Sequence, residues 1–208
     1  IQWPSIGAIT YGKALGDITL ESQDKNGTFQ WEDGSIVPTV EDSGKTEYTL
    51  VYTPKDTVNY NYTEAELEKK IKLTVNPASA PEIQWPSIGA ITYGKALGDI
   101  ALESQDENGT FQWENGSIVP TVADSQKTEY TVVYKPNDEV NYDYTEVELE
   151  QKIRLTVNPA PAPEIKWPSA SAITYGESLG TSTLTSDDTN GTFQWENGSI
   201  VPTVADSQ

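Results

Sequence analysis

Thirty-two aspartates and glutamates stand against thirteen lysines and arginines in a chain of 208 residues that has neither histidine nor cysteine. Carboxylates alone can do two kinds of chemistry. In pairs they hydrolyse glycosidic bonds, and in clusters their oxygens hold calcium. Neither use is supported by spacing here, because DKNG, PKDTVN and PNDEVN are sparse in acids and no DxDxDG-like loop occurs. Without histidine the commonest general base and metal ligand is missing, and without cysteine there are no disulfides or thiolate sites. The acids therefore read as solvated surface, and no catalytic residue, metal site or cofactor is expected. A net charge of −19 repels nucleic acid and anionic membranes while leaving cationic partners open.

Three further residue patterns bear on chemistry. Asn26, Asn108, Asn115, Asn190 and Asn197 begin NGT or NGS, and Asn61 begins NYT, all matching the N-glycosylation acceptor pattern. The first five double as Asn-Gly turns. A lysine–asparagine isopeptide crosslink would need a lysine kept in every unit, yet Lys13 and Lys95 give way to Glu177 in the third. Lys70 and Asn76 fall on one expected strand and meet only if the chain turns back. Aromatic residues offer the remaining options. Tyr60 and Tyr62 in VNYNYT suit either a carbohydrate platform or hydroxyl anchors at a sandwich corner. Trp3, Trp85 and Trp167 in I-[QK]-W-P suit core packing, bracing between neighbouring domains, or contact with a ligand.

These residues recur because the chain is a repeat. IQWPSIGAITYG starts at Ile1 and Ile83, and IKWPSASAITYG starts at Ile165, giving a period of 82. The first two copies differ at fourteen positions, and the partial third matches the second at 33 of 44. NPASAPE at 76–82 and NPAPAPE at 158–164 mark the joints, where prolines favour an extended chain and resist sheet pairing. The expected domains are 1–82, 83–164 and a partial repeat at 165–208. A different phase of the folding unit would move the orphan half to the N-terminus.

Within a unit, AITYG and DITLES read as strands around a turn at Gly12–Gly16. Asn26-Gly27 and Asp33-Gly34 read as hairpin turns flanking a five-residue strand at 28–32, with Phe29 and Trp31 on one face and Thr28, Gln30 and Glu32 on the other. EYTLVYTP places Tyr48, Leu50 and Tyr52 on one side and stops at Pro54. EAELEKKIKLTV reads as a strand with Lys69, or Gln151 in the second copy, at a bulge or sheet switch. A helix capped by Thr63 and Glu66 is the rival there. Six or seven such strands make an all-β sandwich. The chain contains no membrane-length apolar run and is expected to be an excerpt of a longer secreted or surface protein.

The order AITYG, GTFQW, VPTV, YTLVYTPKDTVNY and KLTVNPA resembles the bacterial Ig-like modules called MBG domains of the YGX type. Tyr11-Gly12, Gly27-Thr28-Phe29, Trp31, Tyr52, Pro54, Asp56 and Asn59-Tyr60 carry the likeness, with their later counterparts. What the resemblance implies is tandem Ig-like β-sandwich domains set end to end in an extracellular stalk or adhesin on a bacterial cell surface, without catalytic residues. Neighbouring repeats are then one partner, and a host glycan or host protein such as immunoglobulin is another. The nineteen residues of 108–126 recur unchanged at 190–208. Gln112, Glu114, 123–126, Gln194, Glu196 and 205–208 are expected to face solvent, so that packing leaves their identity unexplained.

Trp31, Trp113 and Trp195 are the expected core aromatics. A buried tryptophan contributes roughly 4–6 kcal/mol before entropy costs, comparable with the whole stability of a small domain. Trp31→Ala should unfold the first repeat, which loss of amide-exchange protection across residues 27–76 would report.

Overall fold

The computed structural model describes residues 1–63 and 65–206, which form two compact units, Ile1–Asn158 and Pro159–Gln208. It is an all-β chain: among the described residues every helical turn is a three-residue 3-10 turn. The first repeat contains β1 (Ile9–Thr10), β2 (Gly27–Trp31), β3 (Glu47–Pro54), β4 (Glu68–Lys72) and β5 (Val75–Asn76), followed at the joint by β6 (Ala78–Ser79). The second repeats this plan as β7 (Ile91–Thr92), β8 (Gly109–Trp113), β9 (Glu129–Pro136), β11 (Glu150–Arg154) and β12 (Val157–Asn158), with β10 (Tyr142–Asp143) inserted before β11.

Each repeat has two small sheets around one core. β2, β3 and β4 form an antiparallel sheet with β3 central, while β1 and β5 pair in parallel with Ile9 opposite Val75. The period of two along EYTLVYTP does what the alternation requires: Tyr48, Leu50 and Tyr52 are buried, and Trp31 lies opposite Leu50. Leu15, Trp31, Tyr48, Leu50, Leu73 and Val75 close the core. Their counterparts close the second, with Val132 replacing Leu50.

Several expectations need correction. DITLES forms no ladder in the first two repeats, because the backbone of its neighbour is engaged elsewhere: Ile9 N–H donates to Thr74 O and Tyr11 N–H to Asn76 O, both at 2.9 Å. Its Ile18 and Leu20 still pack on the core. The run from Glu68 is a strand and not a helix, and it does switch sheets, but the switch falls between Lys72 and Val75. Lys69 and Gln151 keep regular register opposite Leu50 and Val132. Lys69 is tolerated on that face because its ammonium lies over the Trp3 ring, 5.8 Å from the centroid.

The strand runs Gly27–Trp31, one residue earlier than the expected 28–32, so that Gly27 is its first residue rather than part of a hairpin turn. What requires glycine there is the Tyr52 ring. A Cβ at Gly27 would lie 2.2 Å from the ring, and at Gly109 2.3 Å from that of Tyr134. Position 44 shows a different constraint. Gly44 has φ +69°, and the second repeat holds Gln126 in the same left-handed region at φ 59°. Gln126 Nε2 donates to Thr156 Oγ1 at 2.8 Å, which anchors the strained residue.

The unit Pro159–Gln208 keeps local parts of the plan. Leu179 N–H donates to Ile200 O at 2.8 Å, as Leu15 N–H does to Ile36 O. β13 (Ser169–Ala170) and β14 (Leu184–Thr185) form its antiparallel pair. GTFQW at 191–195, identical to β8, is irregular here, since residues 1–208 hold no third counterpart of β3 to pair with it. Trp195 is half-buried, where Trp31 and Trp113 are buried.

The tail of the repeated block is less free than expected. Asp124 closes a capping box with Thr121, and Ser125 Oγ accepts from Val157 N at 3.0 Å. Folding thus accounts for these two residues, whereas Gln112, Glu114, Gln194 and Glu196 are exposed. Ser207 and Gln208 lie outside the described residues. Gly27→Ala should cost about 1–3 kcal/mol through overpacking against Tyr52. Gly191→Ala, which meets nothing within 4 Å, should be neutral in the same urea titration.

Candidate functional site

The strongest candidate site is the joint inside Ile1–Asn158, built from an aspartate–asparagine turn. In the second repeat Asp138 Oδ1 accepts from the backbone N–H groups of Val140 and Asn141, at 3.1 and 2.9 Å. Asp138 Oδ2 accepts from Asn141 Nδ2 at 2.8 Å. Both carboxylate oxygens are used inside the turn, which leaves the two asparagine oxygens pointing outward as acceptors. Asn141 Oδ1 accepts from Val40 N at 2.9 Å, and Asn141 O accepts from Ala78 N at 2.9 Å. β6 and β10 continue this contact as a parallel pair.

The first repeat presents a matching platform. Thr39 and Asp42 form a capping box that starts a 3-10 turn at Val40, so the Val40 N–H is one of the orphan donors of a helical start. Beside it the Tyr11 ring meets Tyr142 edge to face, with centroids 5.4 Å apart and planes at 89°. The proline-rich joint was expected to resist pairing. Pro77 does lack an N–H, but Ala78 retains one, and that donor makes the bond.

Carboxylates elsewhere act as internal anchors. Asp24 accepts from Gln2 N at 2.8 Å, Asn26 N at 2.8 Å and Tyr52 Oη–H at 2.9 Å. The Gln2 and Asn26 N–H groups hold its carboxyl below the usual range. Ser22 Oγ donates to Gln2 O, completing a latch on the N-terminal segment. Asp106 and Asp188 repeat that latch on Gln84 and Lys166. The Thr39 hydroxyl first, then the Thr46 hydroxyl and the Thr39 N–H, bring Asp42 down to about 2. Burial first, then the bond to Asp24, push Tyr52 up to about 12. Among the described residues no group of three or more acids is placed to hold a metal ion.

The tryptophans of I-[QK]-W-P do not brace the joint. Trp3 packs within its own repeat, 5.3 Å from Phe29 and 6.4 Å from Tyr52, and Trp85 copies this with Phe111 and Tyr134. Trp167 reaches Phe193 at 5.8 Å but is 78 % exposed. The tyrosines of the VNY segment separate: Tyr142 faces the neighbouring repeat, whereas the Tyr144 ring lies tilted 6.4 Å from that of Tyr134 in its own. They form no shared sugar platform. In the first repeat Tyr60 is exposed and Tyr62 half-buried.

Other sequence candidates resolve into local structure. Asn61, Asn115 and Asn197 accept from the backbone N–H two residues on, as Asx turns do. Asn26, Asn108 and Asn190 donate their own N–H to the latch aspartates. Lys13, Lys95 and Glu177 are exposed, and Lys70 on β4 lies 4.0 Å from Glu47, in a different sheet from Asn76 on β5. A hollow of about 370 Å³ in Pro159–Gln208 is lined by Ile173, Leu179, Trp195 and Pro202. These are the third-copy counterparts of core residues, so the hollow marks the place that β3 and β5 fill in the complete repeats.

Sequence reasoning missed the joint, although its signal was present. Asp-x-x-Asn-Tyr stands at 56–60 and again at 138–142. Compared with family models, with curated proteins and with solved structures, the chain has no match. Among the described residues no helix is long and apolar enough to cross a membrane.

Two outcomes test this geometry. Val40→Pro removes the N–H given to Asn141 while proline suits the first position of a helical turn, and Thr39 is already extended at ψ 165°. Amide exchange at Ala78 should accelerate about tenfold, the equivalent of one hydrogen bond, with both cores still protected. Asp42, held down by the Thr39 and Thr46 hydroxyls, gives a pH dependence with a definite sign. A carboxyl held below its unfolded value of 3.8 stabilises the fold above that pH, and the contribution disappears as the pH falls towards about 2. Melting midpoints should therefore drop between pH 4 and about 2, and Asp42→Asn should flatten that drop.

Proposed function

We propose that the chain is a structural and interaction segment of a bacterial cell-surface protein. On this reading its units are tandem Ig-like sandwiches of the MBG type, forming an elongated extracellular stalk that displays an adhesive domain. The observation that carries it is the joint. Two near-identical repeats with separate cores are tied by directed bonds from Asn141 to Val40 and Ala78, which a merely flexible tether would not need. Directed bonds hold the angle between repeats, and identical joints let the number of repeats change while each contact stays the same. The acidic surface, at −19 per chain, keeps neighbouring stalks apart.

A second reading is favoured by one observation. Gln112, Glu114, Gln194 and Glu196 are exposed and repeated although packing makes no demand on them. A multivalent module for a host glycan or a host protein such as immunoglobulin would keep such a face, gaining avidity from repetition.

Small-angle scattering on the 208-residue chain separates the two, together with glycan and serum-protein arrays. A narrow length distribution that widens in Asn141→Ala, with both arrays silent, supports the stalk. Binding on either array that survives Asn141→Ala and fails when Gln112 and Glu114 are replaced supports the module.

A further inference from the structure

Five asparagines precede a glycine, and in an unfolded chain each such pair can close on itself. The glycine nitrogen attacks the side-chain amide carbon, an approach that the missing side chain leaves open. Within Ile1–Asn158 the fold treats these pairs in opposite ways. Asn26-Gly27 and Asn108-Gly109 are clamped. Asn26 O accepts from Lys55 N and Asn108 O from Asn137 N, both at 2.8 Å. Gly27 and Gly109 begin β2 and β8 under the rings of Tyr52 and Tyr134, which fix the backbone in an extended form. The Gly109 N–H is also one of the donors to the Asp106 carboxylate, whose negative charge retains the proton that the attack must release.

Asn115-Gly116 lies in a turn and is arranged for the reaction. Asn115 Oδ1 accepts from Ser117 N at 3.1 Å and from Ser117 Oγ at 2.7 Å. Both donors sit where the amide oxygen becomes an oxyanion when its carbon is attacked, and they need no rearrangement to stabilise it. The Gly116 N–H has no acceptor among the described residues, so no bond holds the nucleophile back. We propose that Asn115 is a self-modifying site, at which Gly116 as nucleophile and Ser117 as oxyanion donor convert its amide into a carboxylate. The bond from Gly116 N to Asn115 Cγ forms as the Gly116 proton passes to hydroxide. The Cγ–Nδ2 bond then breaks, and ammonia leaves with a proton taken from water. Water opens the resulting cyclic imide at either carbonyl, giving aspartate or its β-linked isomer. Apart from water and hydroxide every participant belongs to residues 115–117, so the step depends on these bonds rather than on an open surface. The first repeat shows what the aspartate product becomes. Asp33 stands at the equivalent position and accepts from Ser35 N at 2.9 Å and Ser35 Oγ at 2.6 Å. Conversion to aspartate therefore rebuilds the first repeat's turn in the second and adds a negative charge.

Peptide mapping of the 208-residue chain tests this, with folded and guanidinium-unfolded samples aged side by side in one mildly alkaline buffer. Tryptic peptides 26–45 and 96–127 contain the three pairs, and their fragment spectra place each change of mass from amide to acid. Unfolded, Asn26, Asn108 and Asn115 should convert at similar rates, because glycine follows each of them. Folded, Asn115 should keep its unfolded rate or exceed it, while Asn26 and Asn108 slow by about tenfold or more. Ser117→Ala, which removes the hydroxyl donor, should lower the folded-to-unfolded rate ratio at Asn115 about fivefold, the equivalent of one hydrogen bond. Taking the ratio cancels any effect of the altered sequence itself. Protection of Asn115 in the fold equal to that of Asn108 overturns the proposal. So does a ratio that Ser117→Ala leaves unchanged, or conversion of folded Asn26 and Asn108 at their unfolded rates.

Discussion

Tyr52 is the residue on which the first repeat depends. Its ring fills the space that any side chain at position 27 would need, and its hydroxyl reaches Asp24, whose carboxylate in turn holds the backbone of Gln2 and Asn26. One side chain on β3 therefore bears on the register of β2 and on the path of the segment before β1, while the Gln2 and Asn26 N–H groups keep the carboxylate charged. The cost of burying a phenol is met by a charge-assisted bond, and the cost of leaving the acid partly desolvated is met by two backbone N–H groups. Tyr134 and Asp106 repeat the arrangement with Gln84 and Asn108. Gly191 shows what the arrangement does by lacking it: with no ring against it and no β3 beside it, the same letters stay irregular.

The distinction between core and joint is one of bond type. Cores close on apolar side chains such as Leu15 and Leu50, which tolerate exchange for similar shapes, as Val132 demonstrates in the second repeat. The joint closes on two hydrogen bonds and an aromatic edge, whose geometry is directional. Substitutions between the copies follow this division. Lys55, Thr57 and Asn61 change around the docking loop, but aspartate, asparagine and tyrosine at its corners stay in place.

Much of the strand pattern was legible, because alternation depends only on neighbours along the chain. The faces of GTFQW and EYTLVYTP, the stop at Pro54 and the burial of Trp31 follow from a period of two and the bulk of aromatic rings. Contacts between segments were not legible. Asn26-Gly27 has the letters of a hairpin turn, and only the distant Tyr52 shows that the glycine makes room rather than turns the chain. For Trp3 the sequence left core packing, bracing of the joint and ligand contact open, and only the distant Phe29 and Tyr52, against which it packs, decide for the core. The VNY segment was split between sugar binding and a corner anchor, whereas the contact of its Tyr142 with Tyr11 of the neighbouring repeat had no local signal.

The parallel pairing of β1 with β5 has a kinetic consequence. It joins the beginning of a repeat to its end, so the core closes only after nearly all of the unit has been synthesised, and loop-closure entropy opposes it until then. AITYG and LTVNP are spelled identically in both repeats, which makes Val157 as good a partner for Ile9 as Val75 is. Side-chain complementarity cannot tell the correct closure from the exchanged one. Discrimination rests on proximity along the chain and on the first repeat finishing before the second emerges. A protein released from denaturant all at once loses that order, and misassembly between near-identical neighbours is the failure to which this architecture is most open.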